Sequence, residues 1–373
     1  MKFCFVVNIS ATLKGKAIGG AELQISLLSK ALVEKGHEVV IIDYAATEPF
    51  VSEEGIRVLN LPNWQKGIKG IRLLTHRLPG LYKVLKAQKA DFYYVRMRAM
   101  FNLMSYLAAK KNKAKFIVAL AHDLDVAGFR QRFKHEYRPK FKLIKFLSFD
   151  LPNDLVYDYT IRRADFVTLQ HQGQFLRSKR FKGKQGVFRN IFDYKEMKSP
   201  VNIPGNFFVL AGSLTMLKGI GNLLTLVQLL DPAVRLVVIG EPRGEKAEAI
   251  YTQLGQFPNV ELKGRLPHSD TINYIASSKA LISTSNFEGF PNIYLEAWAC
   301  GVPVIALHVN PGNVINEFSL GQFFNGDYQA MATCINSNGT SGFNPAHLRD
   351  YISKYHNYEG AADRFIKFLD VVV

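Results

Sequence analysis

The sequence predicts an α/β protein built from two doubly wound parallel-sheet domains. Three observations carry that expectation. Short β-branched and aromatic runs alternate with helix-period segments along most of the chain, the pattern of parallel strands covered by helices. The alternation is interrupted near residue 200 by a proline-rich polar stretch and then restarts. The chain has 373 residues, 48% of them hydrophobic, enough for two separate cores.

Taken in order, Lys2–Asn8, Glu38–Tyr44, Phe92–Val95, Phe116–Leu120 and Phe166–Leu169 read as strands of the first domain. Ala21–Lys35 places Leu23, Leu27, Leu28, Ala31 and Leu32 at helical spacing and stops at Gly36. The polar break runs from Lys198-Ser199-Pro200 to Ile203-Pro204-Gly205-Asn206 and sets domains at 1–198 and 199–355. Beyond it, Phe207–Ala211 is a strand and Lys218–Leu230 a helix ended by Asp231-Pro232. Strands follow at Arg235–Ile239, Val260–Leu262, Ala280–Ser283 and Val302–Ala306. Tyr351–Val373 reads as helical, and its last part, about 356–373, is a candidate to pack back on the first domain. Open parallel sheets take ligands at the carboxyl ends of their strands, so the expected site is a cleft between two such edges.

Composition removes several classes. No apolar run approaches the ~20 residues of a membrane-spanning helix. Met1–Leu13 is short, broken by Asn8 and followed by Lys14 and Lys16, which suits a first strand better than a signal peptide. Cys4, Cys300 and Cys334 are too few and scattered for a disulfide framework or a zinc site. The expectation is a soluble cytoplasmic protein. Its net charge of +16 is lopsided. Residues 1–200 hold 36 Lys and Arg against 17 Asp and Glu, whereas 201–373 hold 11 against 14. A basic first half suits nucleic acid, anionic lipid or a diphosphate-bearing substrate. Cations alternate with apolar residues over 66–74, 82–86 and 130–147. That texture fits an anionic membrane surface or a solvated helix face; no nucleic-acid-binding signature accompanies it.

The most informative stretch is Ser285-Asn286-Phe287-Glu288-Gly289-Phe290-Pro291-Asn292-Ile293-Tyr294-Leu295-Glu296, continuing to Gly301-Val302-Pro303-Val304-Ile305-Ala306. A strand runs into a loop, Pro291 suits the first turn of a helix, and the N–H groups of Phe290–Ile293 offer an anion site. Glu288 and Glu296 are carboxylates able to accept hydrogen bonds from ligand hydroxyls, or else solvated surface groups. A second stretch, Ala211-Gly212-Ser213 to Lys218-Gly219, opens a strand through glycine toward a helix with one lysine near a phosphate position. A third, Gly15 to Glu22, carries Gly19, Gly20 and Glu22 after the first strand but lacks the dinucleotide-binding glycine spacing. A fourth, Leu120-Ala121-His122-Asp123, ends a strand with a histidine that is either structural or ligand-facing.

Together these strings resemble the retaining glycosyltransferases of family four. The Glu-x7-Glu spacing within Glu-Gly-Phe-Pro-Asn and Leu-Glu-Ala is the most specific part, and Tyr94-Val95-Arg96 and Asn190-Ile191-Phe192-Asp193 also sit where the family has similar strings. The resemblance implies a GT-B fold, two Rossmann-like domains facing each other across a cleft, with a nucleotide-sugar donor, no metal and no other cofactor. It implies that Glu288 contacts the donor sugar, that Gly289, Phe290 and Pro291 lie along sugar and phosphates, and that Glu296 holds the ribose. Asn292 and Ile293 complete the anion site. Lys218, with Gly212 and Ser213, would meet the diphosphate, His122 the donor sugar, and the Gly19–Glu22 loop the acceptor side and phosphates. The family usually has arginine where Ser213 stands; Arg265 and Arg243 are candidates to replace it, and the sequence places neither. The implied acceptor is a glycan or lipid-linked sugar, reached from the inner membrane face by the basic domain, in polysaccharide or lipopolysaccharide synthesis. A UDP-sugar is favoured over a GDP-sugar. A nucleotide-sugar epimerase, or a catalytically silent protein binding membrane or nucleic acid, are the alternatives.

Overall fold

The computed structural model describes all residues except 10–12, 14–18, 63, 70, 97, 138–141, 198–200, 202, 340–341 and 371–373. Two compact units result: Met1–Ile191 together with Tyr358–Val373, and Phe192–Asn357.

The first unit is built on an eight-stranded sheet. Its strands are β1 (Lys2–Val6), β2 (Glu38–Asp43), β3 (Phe50–Val51), β4 (Arg57–Asn60), β5 (Phe92–Val95), β6 (Lys115–Ala119), β7 (Phe166–Leu169) and β8 (Lys184–Val187). They lie in the order β3-β4-β2-β1-β5-β6-β7-β8, with β3 the antiparallel member. Phe3 of β1 sits opposite Val39 of β2 and Phe92 of β5. The central strands β1, β2, β5, β6 and β7 are largely apolar because both faces are covered. Period-two alternation sends Phe3, Phe5 and Val7 into one core and Cys4 and Val6 into the other. On the first face lie α1 (Gly20–Glu34) and the terminal helix Ala361–Asp370. Along the other run α2 (Leu78–Ala87), α3 (Phe101–Lys111) and α4 (Leu151–Ile161), with α2 packed on α3 and α3 on α4.

The second unit holds β9 (Phe207–Ala211), β10 (Arg235–Ile239), β11 (Val260–Gly264), β12 (Leu281–Ser283), β13 (Val304–Ala306) and β14 (Gly321–Phe323). The order is β11-β10-β9-β12-β13-β14, parallel throughout. Phe207 and Val209 face one core, Phe208 and Leu210 the other. Both units are therefore doubly wound, as the alternation predicts.

Four differences from the sequence reading have physical reasons. The helix expected from Lys218 begins only at Ile220 and ends at Val227 (α5, Ile220–Val227), because Gly219 takes a left-handed conformation (φ 74°) and caps it. Lys218 is therefore a loop residue. The terminal segment is two helices, Pro345–Tyr355 and Ala361–Asp370, separated by a turn in which Gly360 is also left-handed; residues 371–373 lie outside the described ones. β3, β4, β8 and β14 escape sequence reading because they are short or, like Lys184-Gln185-Gly186-Val187, lack an apolar run. The division into units falls at Ile191/Phe192 and again at Asn357/Tyr358, instead of at 198/199 and 355/356. The Phe192 N–H donates to the His356 carbonyl (2.7 Å), and Phe192 and Tyr194 pack on the second core. The Lys198-Ser199-Pro200 break itself lies outside the described residues.

Candidate active site

In the second unit the strand order reverses between β9 and β12. This is the switch point where the loops leaving two neighbouring strands diverge and open a ligand site. The loop after β9 carries Gly212, Ser213 and Lys218; the loop after β12 carries Glu288, Gly289, Phe290 and Pro291. Seventy positions apart in sequence, the Lys218 ammonium and the Glu288 carboxylate form an ion pair. The carboxylate side chain is 13% exposed and the lysine 39%, so the pair stands at the rim of the core, reachable from solvent.

The two loops are stitched together by side-chain and backbone hydrogen bonds that sequence reasoning missed. Asn222 of α5 donates to the Thr284 carbonyl and to Asn286 Oδ1, both at 2.9 Å, while Tyr328 donates to Asn222 Oδ1 at 2.9 Å. Asn286 donates to the Met216 carbonyl (3.0 Å), and its own N–H donates to the Leu217 carbonyl (3.1 Å). The Thr284 hydroxyl donates to the Gly219 carbonyl (3.0 Å). Gly219 is required here on two counts: its positive φ, and a Cβ that would run into the Thr284 carbonyl. Polar residues inside an apolar context at both loop ends were the available signal.

Pro291 is the N-cap of α6 (Asn292–Ala299), so the helix N-terminus presents the N–H groups of Asn292 and Ile293. Phe290, by contrast, is buried against Trp298, with ring centroids 6.2 Å apart. It anchors the loop. Glu296, one helical turn along α6, meets His268 Nε2 at 3.1 Å. Ser213 sits between β9 and Leu214, whose N–H donates to the Glu241 carbonyl (3.1 Å). Arg265 is exposed just beyond β11, an edge strand of the sheet and two places from β9.

In the first unit the order reverses between β1 and β5. Gly19 is the N-cap of α1 and Gly20 its first residue. Glu22 folds back over them: a Cβ on Gly19 would meet its carboxylate oxygen at 2.6 Å. The helix N-terminus thus faces a carboxylate of its own chain. Gly15 and Ile18 of the same loop lie outside the described residues. His122 caps the short helix Asp123–Val126, its Nδ1 accepting the Leu124 N–H at 3.1 Å, with Asp125 completing the capping box. Accepting at Nδ1 leaves Nε2 as the protonated nitrogen of the neutral ring. Asp123 is gripped by His171 (2.9 Å), Gln174 (3.0 Å) and Arg177 (2.7 Å). Burial pushes its carboxyl up, but those bonds and charges outweigh it and hold it below the usual aspartate range. Arg96, after β5, donates to Asn190 (2.7 Å), which also receives Gln170 (3.1 Å). A buried polar network thereby spans the carboxyl ends of β5 to β8. Among the described residues no group of three His, Cys, Asp or Glu side chains is arranged to hold a metal ion.

Comparison with known proteins bears on this geometry. The model of "Glycosyl transferases group 1" matches residues 193–322, and that of "Glycosyltransferase Family 4" matches 18–151. The GDP-mannose-dependent monoacylated alpha-(1-6)-phosphatidylinositol monomannoside mannosyltransferase of Corynebacterium glutamicum is 36% identical over 83 residues, 20% of this chain and only 21% of its own length. One of the subunits of Homo sapiens phosphatidylinositol N-acetylglucosaminyltransferase is 23% identical over 95% of this chain and 74% of its own. Among solved structures, sucrose-phosphate synthase from Thermosynechococcus elongatus superimposes with a TM-score of 0.76 at 16% identity, covering 100% of this chain and 98% of its own; at that identity it speaks for the fold. With both family models matched and both sheets doubly wound, the chain belongs to the group 1 glycosyltransferases of family four, on the GT-B fold.

Proposed function

We propose that the protein is a retaining glycosyltransferase that moves a sugar from a nucleotide-diphosphate donor to a glycan or lipid-linked acceptor. The observation that carries this reading is the Lys218–Glu288 pair at the switch point of the second unit, beside the N-terminus of α6. As the sugar departs, negative charge develops on the diphosphate. Lys218 and the N–H groups of Asn292 and Ile293 are the donors that stabilise it, fixed in place beforehand. Glu288 orients the sugar and offsets positive charge at its reacting carbon. Glu296 accepts from the ribose hydroxyls, exchanging its His268 partner for the ligand. No metal or other cofactor enters this scheme. A UDP-sugar is the first donor to test and a GDP-sugar the second.

Thermal unfolding with UDP, GDP or ADP tests the donor half. One nucleotide at about 100 times its dissociation constant should add about 2.7 kcal/mol of stability, and Glu296→Ala should remove most of the shift. Equal stabilisation of wild type and Glu296→Ala would sink the ribose role, and no stabilisation by any nucleotide would sink the donor reading.

The acceptor half rests on the first unit. α2 leads into β5 and α4 into β7, so both helices run back against their strands and start near the carboxyl edge of the sheet. The segments just before them expose Ile68, Ile71 and Leu74, and Leu143, Ile144 (84% exposed), Leu147 and Phe149. Lys66, Lys69, Lys142 and Lys145 are interleaved with them. Apolar side chains ringed by cations suit the headgroup boundary of an anionic membrane, at the inner face if the chain is cytoplasmic. Two curated relatives are named for phosphatidylinositol and a third for D-inositol 3-phosphate; the first two favour a lipid-linked acceptor in cell-surface glycan synthesis. The double variant Ile144→Glu/Leu147→Glu should partition onto anionic vesicles at least tenfold more weakly in co-sedimentation; unchanged partition would remove this segment from the membrane contact.

A further inference from the structure

The resemblance implies an arginine where Ser213 stands, and the strand paired with β9 leads into a loop that carries one, Arg243. β10 lies directly beside β9, and the pairing continues past the ends of both strands. Leu214 and Pro242 form a parallel bridge. The Leu214 N–H donates to the Glu241 carbonyl (3.1 Å), and the Arg243 N–H donates to the Leu214 carbonyl (2.9 Å). Gly212 N–H donates to the Ile239 carbonyl (3.0 Å), and Gly240 (φ 140°) lies so close to the Gly212 carbonyl that a Cβ would collide with it. The 212–214 and 240–243 backbones thus run side by side, which fixes the Arg243 main chain against the residue that follows Ser213. Its side chain is exposed and makes no hydrogen bond or ion pair among the described residues. Arg265 is the poorer replacement: it follows β11, about 10 Å across the sheet from β9 at the usual strand spacing, against about 5 Å for the strand that carries Arg243.

We propose that Arg243 is a donor-diphosphate-binding side chain, standing in from the β10 loop for the arginine that position 213 lacks. The inference rests on the reading of the β9 and β12 loops as a nucleotide-diphosphate site. A guanidinium held one strand away places planar, paired donors on the phosphate oxygens from the side opposite Glu288, whose loop follows β12 and whose carboxylate pairs with Lys218.

The experiment is calorimetric titration of the full-length protein with UDP and GDP against uridine and guanosine. The ratio of diphosphate to nucleoside affinity measures what the phosphates contribute. Arg243→Ala should lower that ratio about tenfold while leaving nucleoside affinity unchanged. Arg243→Lys should recover part of it. The double variant Ser213→Arg/Arg243→Ala should regain most of it, because the cation returns from the position it is proposed to replace. A wild-type ratio in Arg243→Ala overturns the proposal while leaving the donor site standing. A loss that Ser213→Arg does not repair also overturns it, since the deficit would then not be the missing phosphate cation. If wild type itself binds diphosphate no better than nucleoside, the donor reading fails and the Arg243 assignment falls with it.

Discussion

Lys218→Ala is expected to lower kcat/KM by about 10²–10³-fold, the usual cost of removing one preorganised donor from a site where charge develops. The loop does not need the ammonium to hold its shape. The Lys218 N–H is bound by the Thr215 hydroxyl (3.1 Å), and the next residue is the left-handed Gly219 locked under Thr284. The substitution therefore removes charge without unravelling the turn. It also strips Glu288 of its partner, and an uncompensated, largely buried carboxylate repels an incoming diphosphate. Lys218→Arg should retain more activity than Lys218→Ala. Combining Lys218→Ala with Glu288→Gln should cost less than the two separate losses multiplied together, because one substitution already breaks the pair. Steady-state kinetics with saturating acceptor measures all of these. Near-wild-type turnover in Lys218→Ala would remove the residue from the chemistry.

Trp298→Ala carries the largest expected stability loss, about 3–5 kcal/mol. Trp298 is wholly buried in the second unit, with Phe290, Tyr294 and Tyr351 around its ring and its Nε1–H donating to the Leu320 carbonyl at 2.8 Å. Truncation opens a cavity and removes one of the two hydrogen bonds that carbonyl accepts, the Val304 N–H (3.2 Å) keeping the other. For a unit of this size the loss corresponds to a fall in Tm on the order of 10 °C. Trp298→Phe, which keeps most of the volume, should cost clearly less. The site would feel the change too, since Trp298 is the floor on which Phe290, and with it the β12 loop, rests. A transition in Trp298→Ala within a degree of wild type would contradict the packing.

Much of the fold was legible because buried parallel strands announce themselves. Phe207–Ala211 and, within β10, Leu236–Ile239 are continuous apolar runs, and the bounds of both strands agree with the sequence reading. Lys184–Val187 and Gly321–Phe323 are not such runs; they are held by neighbours already in the sheet, and nothing local marks them. The candidate site divides in the same way. Glu288 and Glu296 stand in one contiguous, highly patterned string, whereas the Lys218–Glu288 pair joins residues seventy positions apart. Its existence depends on β9 and β12 being neighbours, which only the strand order decides. Arg243 is the extreme case: no motif contains it, and its relation to Ser213 is a matter of which strand lies beside which. His122 reads from sequence as a ligand candidate, yet its ring is also a helix cap, a role that depends on the conformation of the three residues after it.

The return of the chain to the first unit has a consequence for synthesis. Phe365 is fully buried there, with its ring against Phe3, Tyr94 and Phe188. On the ribosome, residues 1–191 emerge long before this aromatic plug exists, and the whole of the second unit is made in between. The earlier unit must wait, incompletely closed, while the later one has every residue it needs to fold first. The usual amino-to-carboxyl order of domain folding is thereby reversed for completion: of the two units, the one whose synthesis starts first is the last to be finished.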